Sequence, residues 1–204
     1  MVLKRVSNAD GKGWLMVRFS DDKTYPQLPQ FLHVENTKTE GGRDYFKIVE
    51  GNLKGKEASV KRKDNGSSYL DEDAPSLPAA QVHFVLDSGL LWYLDDNNKW
   101  VGPLTAITDS KDSVPVGEHD LEIPDEFHNL ASSYEKFSPY ACTWFRIGHS
   151  GPRYLHPGTH SLGCATVTDL SKWTDLYNYL IKRRKDELSV GTLKVFKTSA
   201  DRGI

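Results

Sequence analysis

Fifteen positions, Arg153 to Val167 (RYLHPGTHSLGCATV), hold two histidines and one of the chain's two cysteines. Cysteine attacks carbonyls as the thiolate, and with an unperturbed pKa of ~8.5 only a few per cent is ionised near neutral pH. A neighbouring imidazolium or a helix N-terminus changes that. Lowering the Cys164 pKa by two units takes ~2.7 kcal/mol, within reach of an ion pair with a protonated histidine. His149 and His156 precede Cys164 by fifteen and eight residues, and His160 lies between them and the cysteine. His156 ends a short extended run, Arg153-Tyr154-Leu155-His156, stopped by Pro157-Gly158, and is favoured as the base. His149, just past the run Trp144–Ile147, is the alternative base or an orienting partner. His160 reads as an exposed loop residue.

Other residues of the stretch fit the same chemistry. Gly163 removes the side chain beside the nucleophile, so the main chain there can take unusual angles and aim N–H groups at an oxyanion. Ser161 can orient the imidazole or donate to a substrate carbonyl. Arg153 matches a carboxylate bidentately, with a surface ion pair as its competing role, and Tyr154 stands beside it as a second substrate contact. The competing reading of Cys164 is a buried structural cysteine. Cys142 reads as core or strand edge, and a Cys142–Cys164 disulfide stays open.

The elements that must position these groups are mainly β. Residues 1–70 hold short apolar runs (Trp14–Phe19, Tyr45–Val49, Ala58–Val60) separated by turn signals such as Asp10-Gly11, Gly41-Gly42 and Asn65-Gly66. They predict a small β domain of unassigned role, with Trp14, Tyr45 and Phe46 as its core or as an aromatic binding face. Residues 71–80, DEDAPSLPAA, have the composition of a linker. From 81 to 204 the runs Val82–Leu86 and Leu90–Leu94 flank a hairpin turn, and further strands are predicted near 100–104, 114–123, 143–147 and 191–196. One helix is clear. Leu170, Trp173, Leu176, Tyr177, Leu180 and Ile181 recur at helical spacing, with Thr168 or Asp169 as cap and Lys182–Lys185 at the C-terminal end. Its N-terminus is expected close behind Cys164. Trp92, Trp100, Trp144 and Trp173 read as core, and His33, His83, His119 and His128 receive no role.

Composition narrows the function. Charged residues make up 26% of 204, yet the formal net charge is only −2, which gives no field to gather nucleic acid. Lysine-rich spots at 54–63 and 182–185 read as solvated faces. No apolar run is long enough to span a membrane, and the first residues lack the apolar core of a signal peptide. Two cysteines cannot build a disulfide framework or a four-cysteine zinc site.

Ser161-Leu162-Gly163-Cys164 resembles the Ser-His-Gly-Cys motif of the L,D-transpeptidases, the YkuD-type catalytic domain. Val114–His119 resembles that family's Thr-Pro-Thr-Gly-Thr-Phe segment, Tyr154–Gly158 its Ile-His-Gly segment, and the strands at 82–94 its opening hairpin. The likeness covers roughly residues 80–196. Leu162 stands where the family has histidine, and Thr166 where it has an arginine that helps hold substrate. The short gap from His156 to Cys164 resembles a toxin branch delivered between bacteria by type VI secretion.

The resemblance implies a β-sandwich-like catalytic domain with one main helix, preceded by the small β domain. It implies acyl transfer through a thioester on Cys164. The substrate would be a peptidoglycan stem peptide, cut between a diamino acid and D-alanine, with no metal and no organic cofactor. The expected place of action is the periplasm or cell wall of the producer, or of a target cell. An effector of this kind would have a cognate immunity protein as partner. Nucleic acid and membrane are not expected partners. A cell-wall cysteine endopeptidase or amidase of another class, and a non-catalytic cell-wall binding module, are the alternatives.

Overall fold

The computed structural model describes residues 2–21 and 23–203. The chain divides into two units, Met1–Ser76 with Asp125–Phe127, and Leu77–Pro124 with His128–Ile204. Both are mainly β. Among the described residues no helix is long and apolar enough to cross a membrane.

The first unit contains β1 (Val2–Val6), β2 (Trp14–Met16), β3 (Arg18–Phe19), β4 (Gln27–Pro29), β5 (His33–Glu40), β6 (Arg43–Ile48), β7 (Glu57–Lys61) and β8 (Leu70–Glu72). Six of these form an antiparallel sheet in the order β3-β7-β6-β5-β1-β8, and β2 pairs with β4 as a separate ribbon. Strand alternation puts Phe46 and Ile48 inward with Trp14, Leu28, Val34 and Ala58, all buried. Trp14 and Phe46 are therefore core, while Tyr45 is half-buried under Lys38. Phe127 meets the edge of the Trp14 ring, with centroids 6.1 Å apart.

The second unit contains β9 (Ala80–Val85), β10 (Leu90–Leu94), β11 (Trp100–Ile107), β12 (Gly117–Glu122), β13 (Phe145–Arg146), β14 (Tyr154–Pro157), β15 (Ala165–Val167) and β16 (Ser189–Phe196). Their order is β12-β16-β9-β10-β11-β15-β14-β13. Only β16–β9 and β14–β15 pair in parallel. The sheet curls until its ends meet. Leu121 bridges Ile147 just past β13, and the Gly148 N–H donates to the Asp120 carbonyl at 2.8 Å. The last strand, β16, lies between β12 and β9 and approaches β9 closely. An ideal Cβ on Gly191 would stand 2.2 Å from the Ala80 carbonyl oxygen.

Of residues 71–80, the first two end β8 and Ala80 opens β9. Leu77 exchanges backbone hydrogen bonds with Lys182 and Arg184 in the second unit.

The main helix, α1 (Trp173–Ile181), buries Trp173, Leu176, Tyr177, Leu180 and Ile181, the stripe its spacing predicts. It starts later than expected. β15 and a 3-10 turn (Leu170–Lys172) intervene, so Cys164 precedes a strand and not a helix N-terminus. Asp169 does not cap, because its Oδ2 accepts from the Thr105 N–H at 2.7 Å. Nor is 182–185 a solvated face throughout. Arg183 is buried, donating to the Pro78 carbonyl at 2.9 Å and pairing with Asp96. A second helix, α2 (Ser199–Arg202), is a single turn closed by a Thr198–Asp201 capping box.

Candidate active site

Cys164 lies one residue before β15, and its side chain is buried at the start of the β14–β15 pair. The Tyr154 N–H donates to its Sγ at 3.4 Å, and the thiol reaches the Pro152 carbonyl at 3.7 Å. Both cysteines are free, which closes the disulfide alternative. Cys142 is buried and reaches Glu135 Oε1 at 3.5 Å.

Gly163 has φ +98°, a conformation that favours glycine. A Cβ there would also stand 2.8 Å from the Asp112 carbonyl oxygen. Ser161 orients no imidazole. Its hydroxyl donates to the Cys164 carbonyl at 2.9 Å and staples the turn that carries Cys164. Leu162, at the tip of that turn, is 89% exposed.

His156 lies on β14, two residues (about 7 Å) along from Tyr154, and faces Thr166 of β15 in the parallel register. It is 7% exposed. Nδ1 stands 3.0 Å from the Pro157 carbonyl oxygen and Nε2 stands 3.0 Å from the Thr166 hydroxyl. A carbonyl can only accept, so Nδ1 carries the proton and Nε2 accepts from Thr166. Trp144 stacks on the ring at 4.3 Å, and His128 in turn stacks on Trp144 at 4.1 Å. Burial among these groups lowers the His156 pKa from 6.5 to about 4.

Neither imidazole nitrogen bonds the thiol, and the electrostatics differ from the expected ion pair. Burial raises the Cys164 pKa above its ordinary value, against smaller lowering effects of the Tyr154 N–H and Arg153. At rest the thiol and the imidazole are both neutral. A desolvated site penalises both charged forms, and no helix N-terminus offsets that here.

His149 belongs to a different cluster. Its Nε2 meets Asp120 Oδ2 at 3.1 Å and Ser189 Oγ at 3.4 Å, while Lys185 pairs with the same aspartate. Its ring is exposed. Arg153 pairs with Asp112, and its Nε is buried without a hydrogen-bond partner. Tyr154 is buried under the Arg146 guanidinium, 4.7 Å from the ring centroid, and Arg146 bonds the buried Glu122 at 3.0 Å. His160 is exposed and bonds Thr159. Tyr134, whose hydroxyl meets Thr159 Oγ1 at 2.9 Å, pins the loop between His156 and Cys164.

Sequence reasoning missed Trp144, His128 and Thr166. Trp144 was assigned to the core but is only half-buried, and His128 had no visible companion. The signal for Thr166 was the register, which pairs it with His156. Trp100 is also not core. It is 39% exposed and packs on His83, ring centroids 4.0 Å apart. Among the described residues no three His, Cys, Asp or Glu side chains converge as a metal would require.

No protein-family model matches the chain, and no curated protein matches it in sequence.

Proposed function

We propose that this chain is a cysteine acyltransferase or hydrolase of the L,D-transpeptidase (YkuD) type that acts on peptidoglycan stem peptides. What supports the reading is one juxtaposition. Cys164 meets the Tyr154 N–H at the start of the paired strands β14 and β15, and His156 stands two residues further along β14 with its imidazole held in a single tautomer. The cysteine sulfur attacks the carbonyl between the diamino acid and D-alanine, forming the carbon–sulfur bond. The thiol proton passes to His156 Nε2 once Thr166 releases it, and then to the departing D-alanine amine as the carbon–nitrogen bond breaks. An amine or water then resolves the thioester. Because both groups rest neutral, His156 acts as a general base during attack and not through a stored ion pair. Arg153, once free of Asp112, offers a guanidinium for a substrate carboxylate.

The test is incubation of purified muropeptides with the protein, read by mass spectrometry. Loss of D-alanine or formation of cross-links is expected, and Cys164→Ala should abolish either while unfolding at the same temperature. Undiminished turnover by a folded Cys164→Ala protein would remove Cys164 from the chemistry. A second reading, a binding module with an inert thiol, draws on the buried cysteine and the absence of a thiol–imidazole bond. No product from any muropeptide would favour it.

A further inference from the structure

The first unit carries a cleft of about 430 Å³ built wholly from its own residues, and nothing proposed for Cys164 uses it. Met16 and Tyr25 line it and are 60% and 63% exposed, and Tyr69 lines it with them. Volume and apolar lining fall in the range of ligand sites. Three cations, Arg18, Arg43 and Lys61, line the same cleft.

These cations are unusual in what they lack. Among the described residues no carboxylate pairs with Arg18, Arg43 or Lys61. The one carboxylate in the lining, Asp10, is held by the backbone N–H groups of Lys12 and Trp14. Arg43 and Lys61 are directly opposite each other on β6 and β7. Like charges so placed destabilise a sheet unless an anion lies between them. The carboxylate nearest in register, Glu40 opposite Arg43, is taken by Lys38 at 2.8 Å. The Arg43 guanidinium is fixed in place by Ser59, with Nε 3.2 Å from the hydroxyl.

Part of the β7 edge beside these cations lacks a strand partner among the described residues, although Val60 itself is buried. β3 covers β7 only at Ala58 and Ser59, so Val60 and Lys61 have no strand partner on that edge. An uncovered edge beside an apolar cleft is a seat for an added extended segment. The cations stand at two levels. Arg18 lies opposite Ser59, which the Arg43 guanidinium also bonds, and Lys61 stands two residues further along β7, about 7 Å. Alternate side chains of an extended peptide have that same spacing.

The geometry points to a binding site for a short extended peptide with carboxylates at alternate positions, seated beside β7 against Met16 and Tyr25. Arg18 with Arg43 takes one carboxylate, and Lys61 takes the next. The site stands whatever the chemistry at Cys164. The probe is acetyl-Glu-Tyr-Glu-amide, titrated into the full chain at low salt by NMR, with acetyl-Gln-Tyr-Gln-amide as the uncharged control. The acidic peptide is expected to shift resonances of Met16, Tyr25 and Val60 and to bind at least about tenfold more tightly than the control. Arg18→Gln with Lys61→Gln should weaken it about tenfold or more, as lost charge-assisted contacts do, at unchanged thermal stability. Lys54→Gln, an exposed lysine outside the cleft, should leave it unchanged. Equal binding of both peptides, no binding of either, or an equal loss in Lys54→Gln would each overturn the assignment.

Discussion

At the scale of single residues, the site is governed by desolvation. Cys164 and His156 lie where charge is penalised, and their pKa values move apart, the thiol up and the imidazole down to about 4. The alkylation rate of Cys164 by iodoacetamide should therefore rise in one step above pH 9, without a shoulder between 6 and 8. Such a shoulder, lost in His156→Ala, would instead reveal a thiolate–imidazolium pair. Trp144 belongs to the same balance, since its indole shields one face of the His156 ring. Trp144→Leu should admit water and raise the His156 pKa toward 6.5, which histidine NMR titration reads directly. The acid limb of turnover should move up with it. A merely structural role for Trp144 would change stability and leave that titration in place. Cys164, Gly163 and His156 stand out in the sequence because a cysteine, a glycine and a histidine are rare neighbours in a chain with two cysteines. The Ser161 and Asp112 contacts do not. Ser161 bonds a backbone carbonyl three residues on, and Asp112 reaches Arg153 across 41 positions. Spacing alone does not express either contact.

At the scale of elements, the hairpin β9–β10 and the apolar stripe of α1 follow from local pattern. The start of α1 does not, because Asp169 is drawn to Thr105 of β11, 64 positions away. β1, β5 and β8 escaped notice for a related reason. β1 reads VLKRV and β5 reads HVENTKTE, polar strands whose pairing is settled by neighbours and not by alternation. Gly191 has the tightest contact of the glycines, and Gly163 is among the next tightest. Gly191→Ala would drive a methyl group into the Ala80 backbone and force β16 off β9. A loss of roughly 3 kcal/mol or more is expected, as for overpacked cores, measured by denaturant unfolding. Gly163→Ala adds strain at φ +98° to the clash with Asp112. It should cost about 1–3 kcal/mol and lower turnover far more than Gly191→Ala does at a temperature where both remain folded. If the two lose turnover only in proportion to stability, the turn around Cys164 has no special part in the chemistry.

At the scale of the whole molecule, the buried histidines set an acid limit. A histidine whose folded pKa lies below its unfolded 6.5 contributes stability that is complete above pH 6.5. That contribution falls away as the pH drops toward 4, because the unfolded chain takes up the proton first. For His156 the difference, from 6.5 to about 4, is worth about 3 kcal/mol. His83, lowered to about 4 chiefly by burial and then by Arg202, acts in the same direction but is half-exposed and contributes less. Melting temperature should therefore fall between pH 6.5 and 4, and His156→Gln should flatten that fall. An equally steep fall in the variant would place the acid sensitivity elsewhere. The position of β16 between β12 and β9 has a further consequence, for the chain as it is made. The ribosome delivers β9 through β15 before it delivers the strand that joins β9 to β12. Until then β9 and β12 each expose an unpaired edge, the kind that recruits strands from other chains. The nascent protein therefore carries Cys164, His156 and two adhesive edges before it has a closed sheet, and a holding chaperone would find its client in that interval.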